Sequence, residues 1–298
     1  MRPDERVLIE HGRAVGVEAL AREPGVPAEK SRKLTVRAKA VVVACGALYT
    51  PVLLQSDVGA MRALKRSGAL GRHLTIHPAA GLLAVMPEVV NRGAAIPQSY
   101  AIEEFHEQGI LMEGAFSPPE LTALSLGWVG PRFVDAMEQF EHLACFGFMI
   151  EDTSTGTVRP GPGRRPLIPY TMNDHDVARV KRAVDLLSQV FFAAGAQRIF
   201  SPLRGFEELR SRTDLARLRR TEVTAADFQL TAYHPLGTAR MGVSNERSVV
   251  NQDLAAHDLP GLYIFDGSVL PTSPAVNPQL TIMALSSRAA QRLAERLH

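Results

Sequence analysis

His234 is the side chain best placed to do chemistry in this sequence. It stands in Tyr233-His234-Pro235-Leu236-Gly237-Thr238-Ala239-Arg240-Met241-Gly242, beside a turn-forming proline and ahead of two glycines that let backbone approach a ligand closely. An imidazole with an ordinary pKa of roughly 6.5 is mostly neutral near pH 7 and is able to accept a proton. Taken alone, such a histidine is more often packed or on the surface than catalytic. Asn277-Pro278-Gln279-Leu280-Thr281 is the second candidate. Asn caps a helix well and Pro suits its first position, so the plain reading is a well-started helix. The functional reading uses the same physics, because the unpaired N–H groups and positive dipole end can hold developing negative charge. The third is Asp266-Gly267, closing the apolar run Leu262-Tyr263-Ile264-Phe265. A strand end of this kind can set a backbone N–H beside a phosphate, although a simple turn is the default.

These residues need elements to hold them. Lys39-Ala40-Val41-Val42-Val43-Ala44-Cys45-Gly46 shows no alternation, which predicts a strand buried on both faces, as in a parallel sheet. Thr50-Pro51 then opens a short helix with Pro at an early position. Upstream, Arg6 to Glu10, a His11-Gly12-Arg13 turn, Ala14 to Ala19 and Leu34 to Arg37 read as a strand meander, with a surface loop over 22–33. Apolar runs over 79–86, 110–116 and 143–150 point to a mainly antiparallel sheet. A helix capped by Asn173 follows, with Val177, Val180, Val184, Leu187, Phe191 and Ala194 on one face and Gly195 at its end. The arginine-rich run 209–220 reads as a solvated helix face, because Glu207, Glu208 and Asp214 lie in or beside it. Asn277-Pro278 starts a last helix whose apolar face is Ile282, Leu285, Ala289 and Leu293. The expected class is α/β (α+β), two α/β-looking ends joined around an antiparallel insertion.

Composition narrows the function. Of 298 residues, 46% are hydrophobic and 21% charged, as in ordinary globular proteins. Lys plus Arg is 33 and Asp plus Glu 31, a net +2 that offers no case for nucleic acid or an anionic membrane. The apolar stretch 40–54 is interrupted by Gly46, Thr50 and Pro51 and falls short of a membrane span. Met1-Arg2-Pro3-Asp4-Glu5-Arg6 is polar, so no secretory leader is expected, and two cysteines in apolar surroundings fit a reducing compartment. A cytoplasmic location is the resulting expectation. His73 and His77 are four apart without a carboxylate or Cys to complete a zinc set, so no metal is expected.

The motifs also share an order. His234 to Gly242, Val249-Val250-Asn251, Gly261 to Ser268, then Asn277-Pro278 and a terminal helix resemble the C-terminal signature of the glucose–methanol–choline (GMC) flavin oxidoreductases. Val41 to Ala47 with Thr50-Pro51 resembles an upstream motif of the same family, and Gly71-Arg72-His73-Leu74 with His77-Pro78 resembles its next landmark. The resemblance implies a partial FAD-binding Rossmann-like domain over 1–76, a substrate-binding domain on an antiparallel sheet over 77–230, and a return to the FAD domain over 231–298. It implies His234 as proton acceptor from an alcohol and Asn277 as its hydrogen-bonding partner. Hydride would pass to FAD held by Gly46, Ala47, Asp266, Gly267, Pro278 and Gln279.

One part of that pattern has no counterpart. The family opens with a strand, a G-x-G-x-x-G turn and a helix for the pyrophosphate, and Gly161-Pro162-Gly163 is the nearest approach here. The chain is therefore expected to be the C-terminal portion of such an enzyme, truncated or split. Alone it should bind FAD weakly and be inactive unless an N-terminal half complements it as a separate chain. Gln55-Ser56-Asp57-Val58-Gly59 and Arg72-His73 also depart from the family's usual residues. Two readings stay open: an FAD-dependent alcohol oxidase or dehydrogenase, and a non-catalytic fragment whose fold persists as a binding or assembly module.

Overall fold

Residues 5–21, 32–64, 68–91, 98 and 100–297 are described by a computed structural model. In chain order its strands are β1 (Arg6–Glu10), β2 (Arg13–Ala21), β3 (Arg32–Arg37), β4 (Val41–Val43), β5 (Arg72–Leu74), β6 (Ala79–Val85), β7 (Ala101–Ile102), β8 (Ile110–Gly114), β9 (Leu143–Ile150), β10 (Gly156–Thr157), β11 (Arg159–Pro160), β12 (Pro166–Leu167), β13 (Arg198–Phe200), β14 (Glu208–Leu209) and β15 (Leu262–Ile264). The helices are α1 (Gly46–Ser56), α2 (Val58–Leu64), α3 (Pro119–Leu126), α4 (Pro131–Glu138), α5 (Asp174–Ala193), α6 (Arg212–Arg220) and α7 (Gln279–Leu297). The chain divides into two units. Unit 1 is Met1–Ile76, Ser154–Thr171 and His234–His298; unit 2 is His77–Thr153 and Met172–Tyr233. Ser154–Thr171, read from the sequence as part of the 77–230 segment, thus packs within unit 1.

In unit 1 the meander forms as an antiparallel β1–β2–β3 sheet, with β3 beginning at Arg32. The expected surface loop otherwise lies outside the described residues. β4 and β15 pair in parallel, Val41 against Leu262 and Val43 against Ile264. Their inward side chains join Leu54, Leu236, Val250 and Ala289 in one core. The expectation of burial on both faces fails at Val42, which is 45% exposed while Val41 and Val43 are buried. Absence of alternation in an all-valine run left the two faces indistinguishable, and only one is covered. Cys45, expected in apolar surroundings, is likewise exposed. Helix α1 starts at Gly46 rather than Thr50, so Pro51 sits in its interior. Helix α7 buries Ala289 and Leu293, with Ile282 and Leu285 half-buried, as its spacing predicts.

Unit 2 is built on one six-stranded sheet, ordered β14-β13-β6-β9-β8-β7 with every pairing antiparallel. One face packs Leu82, Met112 and Ile150 against Val180, Val184 and Leu187 of α5. That helix is capped where the sequence says: Asn173 Oδ1 accepts from Asp176 N at 2.8 Å, and Gly195 follows the last turn at φ +94°. Ala194, expected on the buried face, instead forms the exposed C-cap. The opposite face carries Leu83, Val85 and Leu143, clustered with Leu126, Ala136 and Phe200. The arginines of α6 lie outward while Leu215 and Leu218 face the core, and Arg219 pairs with Asp185 at 2.9 Å. No described helix is long and apolar enough to cross a membrane.

Candidate active site

Two parallel strands end side by side in unit 1, and a helical turn begins after each. β4 leads into α1 at Gly46, and β15 leads into a short 3-10 turn at Gly267. The C-terminal ends of parallel strands are where α/β sheets expose helix N-termini to ligands. Asp266, 7% exposed, ties the two ends together. Its carboxylate accepts from Gly46 N at 3.0 Å, Thr50 Oγ1 at 2.6 Å and Ser268 N at 2.8 Å. Gly46 has φ +76°, and a Cβ there would meet nothing within 4 Å, so the backbone borders open space.

The stretch after His234 threads through this frame by backbone hydrogen bonds. Leu236 exchanges bonds with Thr75, Ala239 N donates to Ser268 O at 2.8 Å, and Met241 N donates to Val269 O at 2.7 Å. Gly237 is required where the chain passes β5. Its φ is +84°, and a Cβ would stand 2.2 Å from His73 O. Thr238 fastens the stretch to α1 for a reason rooted in the helix itself. Pro51 has no N–H to give Ala47 O four residues back, and that carbonyl instead accepts from Thr238 Oγ1 at 2.6 Å. The two residues sit 191 positions apart in the chain.

Gly267 is where the histidine segment and α7 converge. A Cβ at this glycine would lie 3.0 Å from Leu236 Cδ2, 3.1 Å from Ile282 Cδ1 and 3.4 Å from Pro235 O. Pro235 directly follows His234, and Ile282 N closes the first turn of α7 onto Pro278 O at 2.9 Å. The structure therefore gathers Gly46, Ala47, Asp266, Gly267 and the segments bearing His234 and Pro278-Gln279 into unit 1. Asn277 and Gln279 are exposed, and Pro278 and Ala47 are buried. Two buried hydroxyls, Ser268 Oγ and Ser273 Oγ, have no hydrogen-bond partner among the described residues, and both lie on the stretch joining Asp266 to Asn277.

His234 is half-buried, and burial holds its imidazole below the ordinary histidine value. A lowered pKa keeps the ring neutral at neutral pH. His73 is also held low, by burial and then by the charges of Arg240 and Arg72. Sequence reasoning did not single out Thr50 and Thr238, whose hydroxyls lock the frame. The signal was present only as a threonine before Pro51 and another inside the histidine motif. Among the described residues no cluster of His, Cys, Asp or Glu could hold a metal ion.

GMC oxidoreductase models match residues 4–79 and 152–286. An uncharacterized GMC-type oxidoreductase of Mycobacterium tuberculosis is 32% identical over 97% of this chain and 44% of its own length. A long-chain-alcohol oxidase of Arabidopsis thaliana is 27% identical over 84% of this chain and 36% of its own. Among solved structures, formate oxidase from Aspergillus oryzae superposes with a TM-score of 0.65 at 18% identity, covering 96% of this chain and 58% of that one. Pyridoxine 4-oxidase from Mesorbium loti gives 0.62 at 20% identity, covering 96% and 56%. The chain thus spans about half the length of the relatives it matches.

Proposed function

The chain belongs to the GMC oxidoreductase family, and from that premise we propose that it forms the catalytic C-terminal part of an FAD-dependent oxidoreductase acting on the CH–OH group of an alcohol. The observation carrying the reading is the convergence of the His234 segment and the start of α7 on Gly267. His234 accepts the hydroxyl proton on its imidazole; burial keeps the ring unprotonated and ready. Asn277 hydrogen-bonds the alcohol oxygen through its carboxamide, which does not titrate. Leading α7, a helix of 19 residues, Gln279 N and Leu280 N offer donors and a positive dipole end to negative charge.

When bound, FAD supplies the two-electron acceptor for the carbinol hydride. The residues that would hold it are Gly46, Ala47, Asp266, Gly267, Pro278 and Gln279. Open backbone at Gly46 and the orphaned hydroxyls of Ser268 and Ser273 suit a polar ligand at this strand end. The fit is partial, because no Gly-rich strand–turn–helix occurs among the described residues. β4 has β15 as its one ladder partner there, and Val42 leaves that pair's outer face uncovered. Two parallel strands make a poor independent sheet. We therefore propose that an N-terminal GMC half, on a separate chain or the same one, adds parallel strands beside β4 and the phosphate cradle. A cytoplasmic location is part of the proposal, in keeping with two free cysteines.

Purifying the 298-residue chain alone and with such a half, then recording visible absorption, tests this reading. Flavin absorbance near stoichiometry only with the partner half is expected. Stoichiometric flavin on the chain alone would refute the need for complementation. No flavin in either preparation would favour the competing reading, a non-catalytic binding module.

A further inference from the structure

Residues 116–138 of unit 2 are held to their sheet by few attachments. They comprise α3, α4 and the elbow Gly127-Trp128-Val129-Gly130 between them. Pro118, Pro119 and Pro131 have no N–H to offer, and the other backbone bonds of the stretch close on itself or on the cap residue Gln139. Beyond those, one hydrogen bond among the described residues joins it to the rest of the unit: Arg198 Nη1 of β13 donates to Asp135 Oδ2 of α4 at 2.8 Å. Leu126, Trp128, Phe133, Ala136 and Met137 pack with Leu83, Leu143 and Phe200 of the sheet. Leu121, Leu124, Val129 and Val134 are exposed, so only part of the stretch's apolar surface holds it down. Both ends are fixed. Just before it Ala115 N donates to Cys145 O at 3.0 Å, and just after it Glu141 O accepts from Asn91 N at 2.9 Å. A cavity of about 220 Å³ lies between the stretch and the sheet, lined by Ser117 and Thr122 on one side and by Leu83, Leu143 and Cys145 on the other.

We propose that residues 116–138 form a lid that lifts from the sheet as one piece, latched by Asp135 on Arg198, and that its opening admits small molecules to the cavity and the Cys145 thiol. The latch joins a fixed cation to a movable carboxylate. Arg198 is 15% exposed and steadied by Glu208 Oε1 at 3.5 Å and the Phe200 ring at 5.4 Å, whereas Asp135 is 57% exposed. Leu126 and Ala136 are buried and must leave the core on lifting, which keeps the open state a minor one. Helices α3 and α4 have eight residues each, too short to hold their shape in water, so they fray once lifted. An ion pair this exposed changes the opening equilibrium only about two- to fivefold, and salt screens it. The lid is a property of unit 2 alone and stands apart from the proposed oxidation.

Iodoacetamide labelling of the full chain, followed by mass spectrometry, reads the opening at Cys145, with exposed Cys45 of unit 1 as the internal standard. Asp135→Asn should raise the Cys145 rate about two- to fivefold and leave Cys45 unchanged. Sodium chloride at about 1 M should raise it by a similar factor in the unaltered chain and have no effect in the variant. Hydrogen–deuterium exchange locates the motion. Peptides within 119–138 should exchange together, faster than α5, and the variant should speed them by the factor seen at Cys145. A Cys145 rate that both the variant and salt leave unchanged overturns the proposal. Protection over 119–138 as high as in α5 of the unaltered chain overturns it too. Faster exchange shared equally by α5 and β9 in the variant would assign the effect to unfolding of the whole unit, and the lid would fall with it.

Discussion

Replacing Asp266 by Asn probes the joint between the two parallel strands. Hydrogen bonds to a charged acceptor are worth roughly 1.5–3 kcal/mol, against roughly 0.5–1.5 for neutral ones. An amide oxygen can keep the bonds from Gly46 N and Thr50 Oγ1, both made to Oδ2, at a loss of about 1 kcal/mol each. The amide nitrogen then faces Ser268 N, which donates at 2.8 Å to Oδ1 in the native protein, and that donor-to-donor contact forfeits about 2 kcal/mol. The joint should therefore weaken by about 4 kcal/mol, enough to speed exchange through local opening by about a thousandfold. Hydrogen–deuterium exchange reads this directly. Peptides holding Gly46 and Ser268 should lose protection, while α5 in unit 2 stays unchanged. Less than a tenfold change at those amides would refute the bracing role of Asp266. Thr50→Val should weaken the same joint by about 2 kcal/mol, and the two effects should fall short of additive because both act on the Thr50–Asp266 hydrogen bond.

Four further outcomes follow from the same geometry. Gly237→Ala should destabilise unit 1 by about 3 kcal/mol or more, from left-handed backbone strain plus the 2.2 Å approach to His73 O; a melting-temperature change under 2 °C would contradict it. Thr238→Val should cost about 1–3 kcal/mol by orphaning Ala47 O behind Pro51, measured by urea unfolding. Burial pushes the Cys145 thiol up to about 11, so at pH 8 iodoacetamide should label exposed Cys45 first and Cys145 far more slowly. Because burial lowers the His234 pKa, turnover of the complemented enzyme should fall on acidification only below the usual histidine range. The stability contributed by keeping that ring neutral is present above the unfolded value and is lost as pH falls through the folded one.

Much of the scaffold could be read from local pattern. Helix α5 announces itself through Asn173, three- and four-residue spacing and Gly195, because capping and amphipathic burial are local properties. The parallel β4–β15 pair was harder, since three consecutive valines carry no alternation, and only the fold reveals Val42 on an uncovered face. Motif order singled out His234 and Asn277, whereas their chemical roles rest on the family. What escaped sequence reading was long-range: Thr50 meets Asp266 across 216 positions, and Thr238 meets Ala47 across 191. Neither pairing leaves a periodic trace. The Ala47 carbonyl lacks a helical donor because Pro51 lies inside α1, whereas the sequence pattern places that proline near the helix start.

In the proposed reaction, His234 removes the alcohol proton in an enzyme completed by an N-terminal half. Anaerobic single-turnover reduction of the flavin-loaded complex by a primary alcohol, with His234 and with His234→Ala, tests it most directly. The variant should keep its FAD and be reduced roughly 10²–10⁴ times more slowly, the usual contribution of a general base. Reduction of the loaded variant at the unaltered rate would contradict it.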